Sequence, residues 1–413
     1  MKRKSILLLI FVGTLVLFTT LDSKAQIIDP SMRTKVLIPG TEIREIPSSS
    51  GLHYLAYVHL PPDYYTTEKC YPVLFLTDAE SEVFGMYTGI YNMLSYGNEI
   101  RELIIVGIAD GGTAPQHHIL RKRDYTFHDS PNIKFDSSMV SGGGGEFLRF
   151  LQKEFIPFIE REYRTDPSLR GYWGYSLGGL FGAFAMFQTP NLFNSYILSS
   201  PSLWWDEDII FSLEQEYAKT HKDLAAKVYI SVGTAEFTSM KQGNFRLVDS
   251  LNARGYPSLK IINTQMDGGS HFSAMPRIFE QGILALYGKV PIGEELLSII
   301  SEEGIEAAVA RYHTVVATDP DGYQLGMNEL NRLGYDLLGK KKFKEAITIF
   351  QLNVEAFPKS WGVYDSLAEG YMMAGDKEKA ISNYQQSLEL DPNNANNEYA
   401  REMLRKLGVK KQE

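Results

Sequence analysis

The chain has 413 residues, of which 44% are hydrophobic and 22% charged, and its formal net charge is −9. This is ordinary globular material with apolar mass enough for two domains, and its acidity argues against nucleic acid or an anionic membrane as a partner. A single cysteine, Cys70, excludes an internal disulfide framework.

Residues 1–25 read as a secretory leader. Lys2, Arg3 and Lys4 precede an apolar run from Ile6 to Leu21, and Ser23-Lys24-Ala25 supplies a small-x-small cleavage pattern. The run is short for a membrane span and no stop-transfer pattern follows it. Cleavage after Ala25 is therefore expected, giving a periplasmic or secreted protein with no membrane attachment. The leader carries four positive charges and one negative, so its loss takes the net charge from −9 to −12.

From residue 26 to 288, short β-branched or apolar runs alternate with amphipathic stretches. Strands are expected at 71–77, 102–109, 169–175, 194–200, 226–233 and 258–265, with helices such as 146–163 and 177–187 between them. That alternation predicts an α/β domain, a mostly parallel sheet covered by helices. His117-His118 is an adjacent pair without a spaced third ligand, so no metal site is read from the spacing.

Gly174-Tyr175-Ser176-Leu177-Gly178 fits G-x-S-x-G. The motif is informative only between a strand and a helix, where the serine occupies a strained turn and the glycines make room for crowded backbone. Residues 169–175 supply the strand and 177–187 the helix. Ser176 then stands at the carboxyl end of the sheet, where open α/β sheets bind ligands.

A serine nucleophile needs a base, and in α/β hydrolases the chain order is serine, acid, histidine. The histidines downstream of Ser176 are His221, His271 and His313. His313 belongs to the C-terminal region and His221 to a charged helical stretch. His271, in the glycine-rich loop after the last strand, is the expected base. Glu236, just past strand 226–233, is the expected acid, with Asp206, Asp208 and Asp267 as rivals. The backbone N–H of Leu177 is one expected oxyanion donor, and Ala79 or its neighbours, after strand 71–77, the other. No cofactor is required.

Beyond Tyr287-Gly288-Lys289-Val290-Pro291 the β-branched runs vanish and a period appears. Ala346 and Ala380, Phe350 and Tyr384, and Pro358 and Pro392 are each 34 residues apart, the tetratricopeptide spacing. A weaker unit lies around 292–320, so residues 289–413 are expected to form an all-α repeat domain. Such helix pairs must stack to bury their apolar faces. A protein partner or self-association is their expected business.

Three segments then carry a resemblance: EFIPFIEREYRTDP, GYSLGGLFGAFAMFQTPNLFNSYILSSPSLWW and GGSHFSA, in this order. Over residues 40–288 the chain resembles the putative-esterase family of α/β hydrolases, which includes siderophore trilactone esterases and carbohydrate-acyl esterases. The resemblance implies Ser176 as nucleophile, His271 as base and a carboxylate falling on Glu236. HHILRKRDYT is similar to the family's R-x-R-D-x-T segment and implies Arg121, Arg123 and Asp124 near the mouth of the pocket. An arginine fork there suits an anionic or catecholate-like group, and an ion pair between Arg123 and Asp124 is the competing reading. Trp204 and Trp205 are expected to wall the acyl or aromatic pocket, one of the two being equally suited to the core. Ala79 departs from the family pattern, which has glycine after the aspartate, and leaves the second oxyanion donor open. The repeats are an addition to the family's usual extent.

The expectation is an exported serine ester hydrolase that works through an acyl-enzyme on a siderophore, an acylated carbohydrate or a related small-molecule ester. The same residues would serve acyl transfer. A reading of another class is a disabled hydrolase whose repeat groove binds a partner.

Overall fold

Eight strands build one sheet in this computed structural model, which describes residues 38–49, 51, 53–110, 114–127 and 141–409. The expected leader lies outside the described residues. The strands are β1 (Thr41–Pro47), β2 (His53–His59), β3 (Tyr71–Leu76), β4 (Ile104–Ala109), β5 (Thr165–Tyr175), β6 (Ser195–Ser199), β7 (Lys227–Gly233) and β8 (Lys260–Met266). Their order in space is β1-β2-β4-β3-β5-β6-β7-β8. β1 and β2 pair antiparallel, as do β2 and β4, and every pairing from β4 through β8 is parallel. β4 and β6 are buried along their whole length, as parallel strands covered on both faces must be.

The helices follow as crossovers: α1 (Ser81–Tyr96), α2 (Ala114–Tyr125), α3 (Gly144–Phe150), a π turn over Leu151–Phe155, α4 (Ile156–Glu162), α5 (Leu177–Gln188), α6 (Trp205–Thr220), α7 (Thr238–Arg254) and α8 (His271–Tyr287). Gly182 of α5 lies against Leu198, and Gly282 of α8 against Ile197. Successive side chains of a strand point to opposite faces, so α5 and α8 cover opposite sides of the sheet. The parallel, helix-covered sheet read from the sequence is the one observed, with β3 to β8 on the expected runs. The β1–β2 hairpin is additional. Its first strand is largely exposed and only weakly apolar, which is why hydrophobic runs did not reveal it.

Past β9 (Val290–Pro291) the chain is helical: α9 (Ile292–Glu302), α10 (Ile305–Thr318), α11 (Met327–Gly339), α12 (Phe343–Ala356), α13 (Trp361–Met373), α14 (Lys377–Leu390) and α15 (Asn397–Lys406), with β10 (Tyr323–Gln324) paired to β9. Ala308, Ala346 and Ala380, one per helix pair, are fully buried. A Cβ on Gly334 of α11 would stand 2.3 Å from the Phe350 ring of α12. Small residues thus let the paired helices approach, and Phe350 fills the space between them.

Residues Gly40–Glu413 form one compact unit. The repeats join the sheet through the loop entering β4. Arg101 forks onto Asp319 at 3.2 and 3.3 Å, Lys289 Nζ donates to Asn98 Oδ1 at 2.6 Å, and the Arg101 N–H bonds to Tyr287 O. This junction lies at the amino ends of the parallel strands. Among the described residues no helix is long and apolar enough to cross a membrane.

Candidate active site

Ser176 sits between β5 and α5 with φ 57° and ψ −112°, a left-handed backbone that a serine adopts only under constraint. Its N–H bonds to Ser199 O at 2.9 Å, and its carbonyl accepts from Leu180 and Ser202, both at 3.0 Å. The flanking glycines are sterically required. A Cβ on Gly174 would meet Gly178 O at 2.2 Å, and one on Gly178 would meet Thr77 Oγ1 at 2.6 Å. The turn therefore holds the Ser176 hydroxyl out at the carboxyl end of the sheet.

His271 is the first residue of α8, whose N-cap Ser270 forms a capping box with Ser273. The cap fixes the helix start and with it the ring. His271 Nδ1 lies 2.7 Å from Glu236 Oε2, and Nε2 lies 3.2 Å from Ser176 Oγ. With Nδ1–H donating to the carboxylate, Nε2 is left as acceptor for the serine hydroxyl. Tyr175 lies beside the imidazole with ring centroids 4.7 Å apart, and its hydroxyl donates to His271 O.

Glu236 is buried, three residues past the end of β7 at Gly233, in a loop tied to the loop that carries His271. Thr234 N bonds to Met266 O and Ala235 N to Gly269 O, each at 3.0 Å. Burial alone would push the Glu236 carboxyl up. Hydrogen bonds from His271, from the Ser200 hydroxyl and from the Gly233 N–H outweigh it and hold the group below the usual carboxylate range. The three residues separated by up to 95 positions in the chain are thus in one hydrogen-bonded line. Two of the rival acids are elsewhere: Asp208 pairs with Arg246 at the surface, and Asp267 is exposed.

The remaining sequence-based expectations divide. Leu177 opens α5, so its N–H has no acceptor within the helix. The Ala79 N–H is turned to Ile108 O at 3.4 Å, and its methyl is fully buried against Gly107 of β4. Arg121 grips Asp78 through Nε at 2.5 Å and Nη2 at 3.0 Å, and donates to Tyr175 O at 2.9 Å. Arg123 forks onto Asp124 at 2.6 and 2.9 Å and reaches Tyr54 Oη at 3.1 Å. The ion-pair reading holds for Arg123, and Arg121 braces Tyr175, the residue before Ser176. Trp205 is core at 3% exposure, beneath Lys122, whereas Trp204 is 38% exposed with its indole N–H on Met240 Sδ.

Sequence reasoning missed four residues here. Ser200, fully buried at φ 44°, donates to Glu236 Oε1. Ser202 Oγ lies 3.2 Å from Ser176 Oγ. Phe237 and Phe272, each 75% exposed, directly follow Glu236 and His271 in the chain. The two serines belong to the SPSLWW segment singled out above. An apolar residue directly after each polar one was the available signal for the phenylalanines.

A family model described as Putative esterase matches residues 49–253. This chain carries a putative-esterase domain. The matched span includes Ser176 and Glu236 and stops short of His271. A tetratricopeptide-repeat model matches residues 361–394, the α13–α14 pair. The esterase family places the chain among ester hydrolases. The ferri-bacillibactin esterase BesA of Bacillus subtilis is 27% identical over 259 residues, which span 60% of this chain and 89% of that protein. An IroE-like serine hydrolase from Shewanella oneidensis superposes with a TM-score of 0.56 at 22% identity, over 76% of this chain and 99% of its own. An uncharacterised protein from Capnocytophaga ochracea superposes with a TM-score of 0.55 at 16% identity over 90% of this chain and all of its own. At these identities the two structural likenesses speak to the fold, and the second extends it into the repeats of the esterase chain.

Proposed function

We propose that this protein is an exported serine ester hydrolase with Ser176 as nucleophile, His271 as general base and Glu236 as the acid that orients it. The carrying observation is the line Ser176 Oγ to His271 Nε2 at 3.2 Å and His271 Nδ1 to Glu236 Oε2 at 2.7 Å, at a left-handed serine. Ser176 Oγ attacks the ester carbonyl as its proton passes to His271 Nε2. The Leu177 N–H faces the developing oxyanion, reinforced by the positive end of α5. His271 then protonates the leaving alkoxide, and a water deprotonated by the same nitrogen releases the acyl group. Glu236, ionised and buried, stabilises the imidazolium in both steps.

The substrate class we favour is a siderophore ester, supported by the activity in the name of the Bacillus relative and by the exposed ring of Phe272 beside His271, which suits an aryl or acyl body. The apolar run and Ser23-Lys24-Ala25 at the start of the chain support export, and we take the esterase domain to end near residue 288.

Hydrolysis of p-nitrophenyl butyrate and of a triscatecholate lactone, with fluorophosphonate labelling, tests this reading. Wild type turns over and labels, and Ser176→Ala does neither. A wild type that is folded yet unlabelled and inactive on both esters would sink it.

A further inference from the structure

Three side chains that this reaction does not use meet at the carboxyl ends of β3 and β4. Glu80 stands between β3 and α1, Asp110 follows β4, and His117 lies in the first turns of α2. His117 Nδ1 is 2.7 Å from Asp110 Oδ2 and 2.9 Å from Glu80 Oε1, and the three donor atoms all lie within 4.8 Å of one another. The three are 8 to 23% exposed, so this is not a solvated surface cluster. Glu80 Oε2 is buried without a hydrogen-bond partner, a lone-pair oxygen left short of a cation or a donor. The other ring nitrogen, Nε2, faces Asp78 Oδ1 at 3.9 Å.

We propose that Glu80, Asp110 and His117 form a binding site for a divalent transition-metal ion of the Zn2+ type. One imidazole with two carboxylates is a nitrogen-and-oxygen donor set suited to such an ion and unsuited to Ca2+ or Mg2+, which take oxygen ligands. Ligands at about 2.0–2.1 Å in tetrahedral arrangement are about 3.3 Å apart, so the two contacts at His117 Nδ1 need lengthen by only about 0.5 Å to admit the ion. Three protein ligands leave a fourth position for water. The ion takes the place of the Nδ1 proton, which leaves to solvent, and Nε2–H stays directed at Asp78. A carboxylate behind a metal-bound histidine is the usual outer-shell arrangement.

The site is wired to the nucleophile turn. His117 and Arg121 are four residues apart on α2 and share a face. Arg121 holds both Asp78 and the carbonyl of Tyr175, the residue before Ser176. An ion that pins α2 to the ends of β3 and β4 therefore also pins the guanidinium that braces the turn.

The test titrates Zn2+ into chelator-stripped full-length protein against a chromogenic chelator, with thermal unfolding followed with and without the ion. Wild type binds about one equivalent more than His117→Ala, and its melting temperature rises with Zn2+. Glu80→Gln, which keeps shape and removes charge, weakens binding at least about tenfold. His271→Ala keeps this equivalent, which separates it from adventitious binding at the other histidine–carboxylate pair. Equal uptake by wild type and folded His117→Ala overturns the proposal, as does uptake lost with His271. Turnover is not the readout, so the outcome is independent of the esterase reading.

Discussion

Removing the hydroxyl of Ser200 tests whether the line of hydrogen bonds ends at Glu236 or one residue behind it. Ser200 is fully buried, its N–H is bonded to Ser231 O at 2.8 Å, and its Oγ–H donates to Glu236 Oε1. In Ser200→Ala that oxygen retains only the longer contact from the Gly233 N–H at 3.3 Å. A hydrogen bond to an ionised buried group is worth about 1.5–3 kcal/mol. Its loss raises the free energy of the carboxylate that must face an imidazolium, so kcat falls about 10- to 100-fold. KM changes little, because Ser200 lies behind the acid and not in the mouth. The carboxyl held below its usual range by this bond moves up, so the acid limb of kcat shifts to higher pH. Initial rates on p-nitrophenyl butyrate from pH 5 to 9, with the rate of fluorophosphonate labelling, measure both effects. Ser200→Gly provides the control for backbone strain: glycine accepts φ 44° freely, and it should show the same loss. Wild-type kcat with an unmoved acid limb in both variants would refute the reasoning.

Other substitutions probe the frame around the triad. Gly174→Ala would drive a methyl to 2.2 Å from Gly178 O, so the turn cannot close. The expected cost is about 1–3 kcal/mol of stability, read as a lower melting temperature, together with lost labelling. Arg121→Ala strands the Asp78 carboxylate among buried groups at an expected cost of about 3–5 kcal/mol, seen in the urea midpoint. Arg121→Lys recovers only part of it, since an ammonium cannot reproduce the fork. His59 is buried between Thr41 and Asn92, and burial lowers its pKa from 6.5 although Asn92 and Glu102 pull it back up. The folded state therefore keeps the ring neutral while the unfolded chain protonates it. This contribution to stability is whole above pH 6.5 and is lost as the pH falls through the lowered folded value. Chemical denaturation at pH 7.5 and 5.5 should show a smaller acid loss in His59→Gln than in wild type.

How far the sequence reached can be followed residue by residue. Ser176 and Glu236 were legible because each follows a run apolar enough to mark a buried parallel strand, and His271 because β8, though largely exposed, is the last parallel strand and delivers its loop to the same edge. The repeats were legible because Ala346 and Phe350 recur as Ala380 and Tyr384, a periodicity that needs no long-range knowledge. Tyr54 as the partner of Arg123 was not legible, since the two stand 69 positions apart in the chain and meet only once the fold has formed. Trp204 and Trp205 were indistinguishable until α6 started at Trp205 and turned it inward. Glu80, Asp110 and His117 are brought together by strand order. β4 lies beside β3 on the side of β2, so the loops after both strands open over α2, and chain spacing carries no trace of that.

Helix α8 begins at His271 and ends at Tyr287, the residue whose carbonyl holds Arg101 at the repeat junction. Seventeen residues of helix measure about 25 Å, and that length is a distance gauge. The Ser176 hydroxyl and the repeats are separated by a strut of fixed length and not by a flexible tether. On the proposed reading, a partner held by the repeats is carried at a set standoff from Ser176, and the approach of a bulky ester to that hydroxyl stays clear.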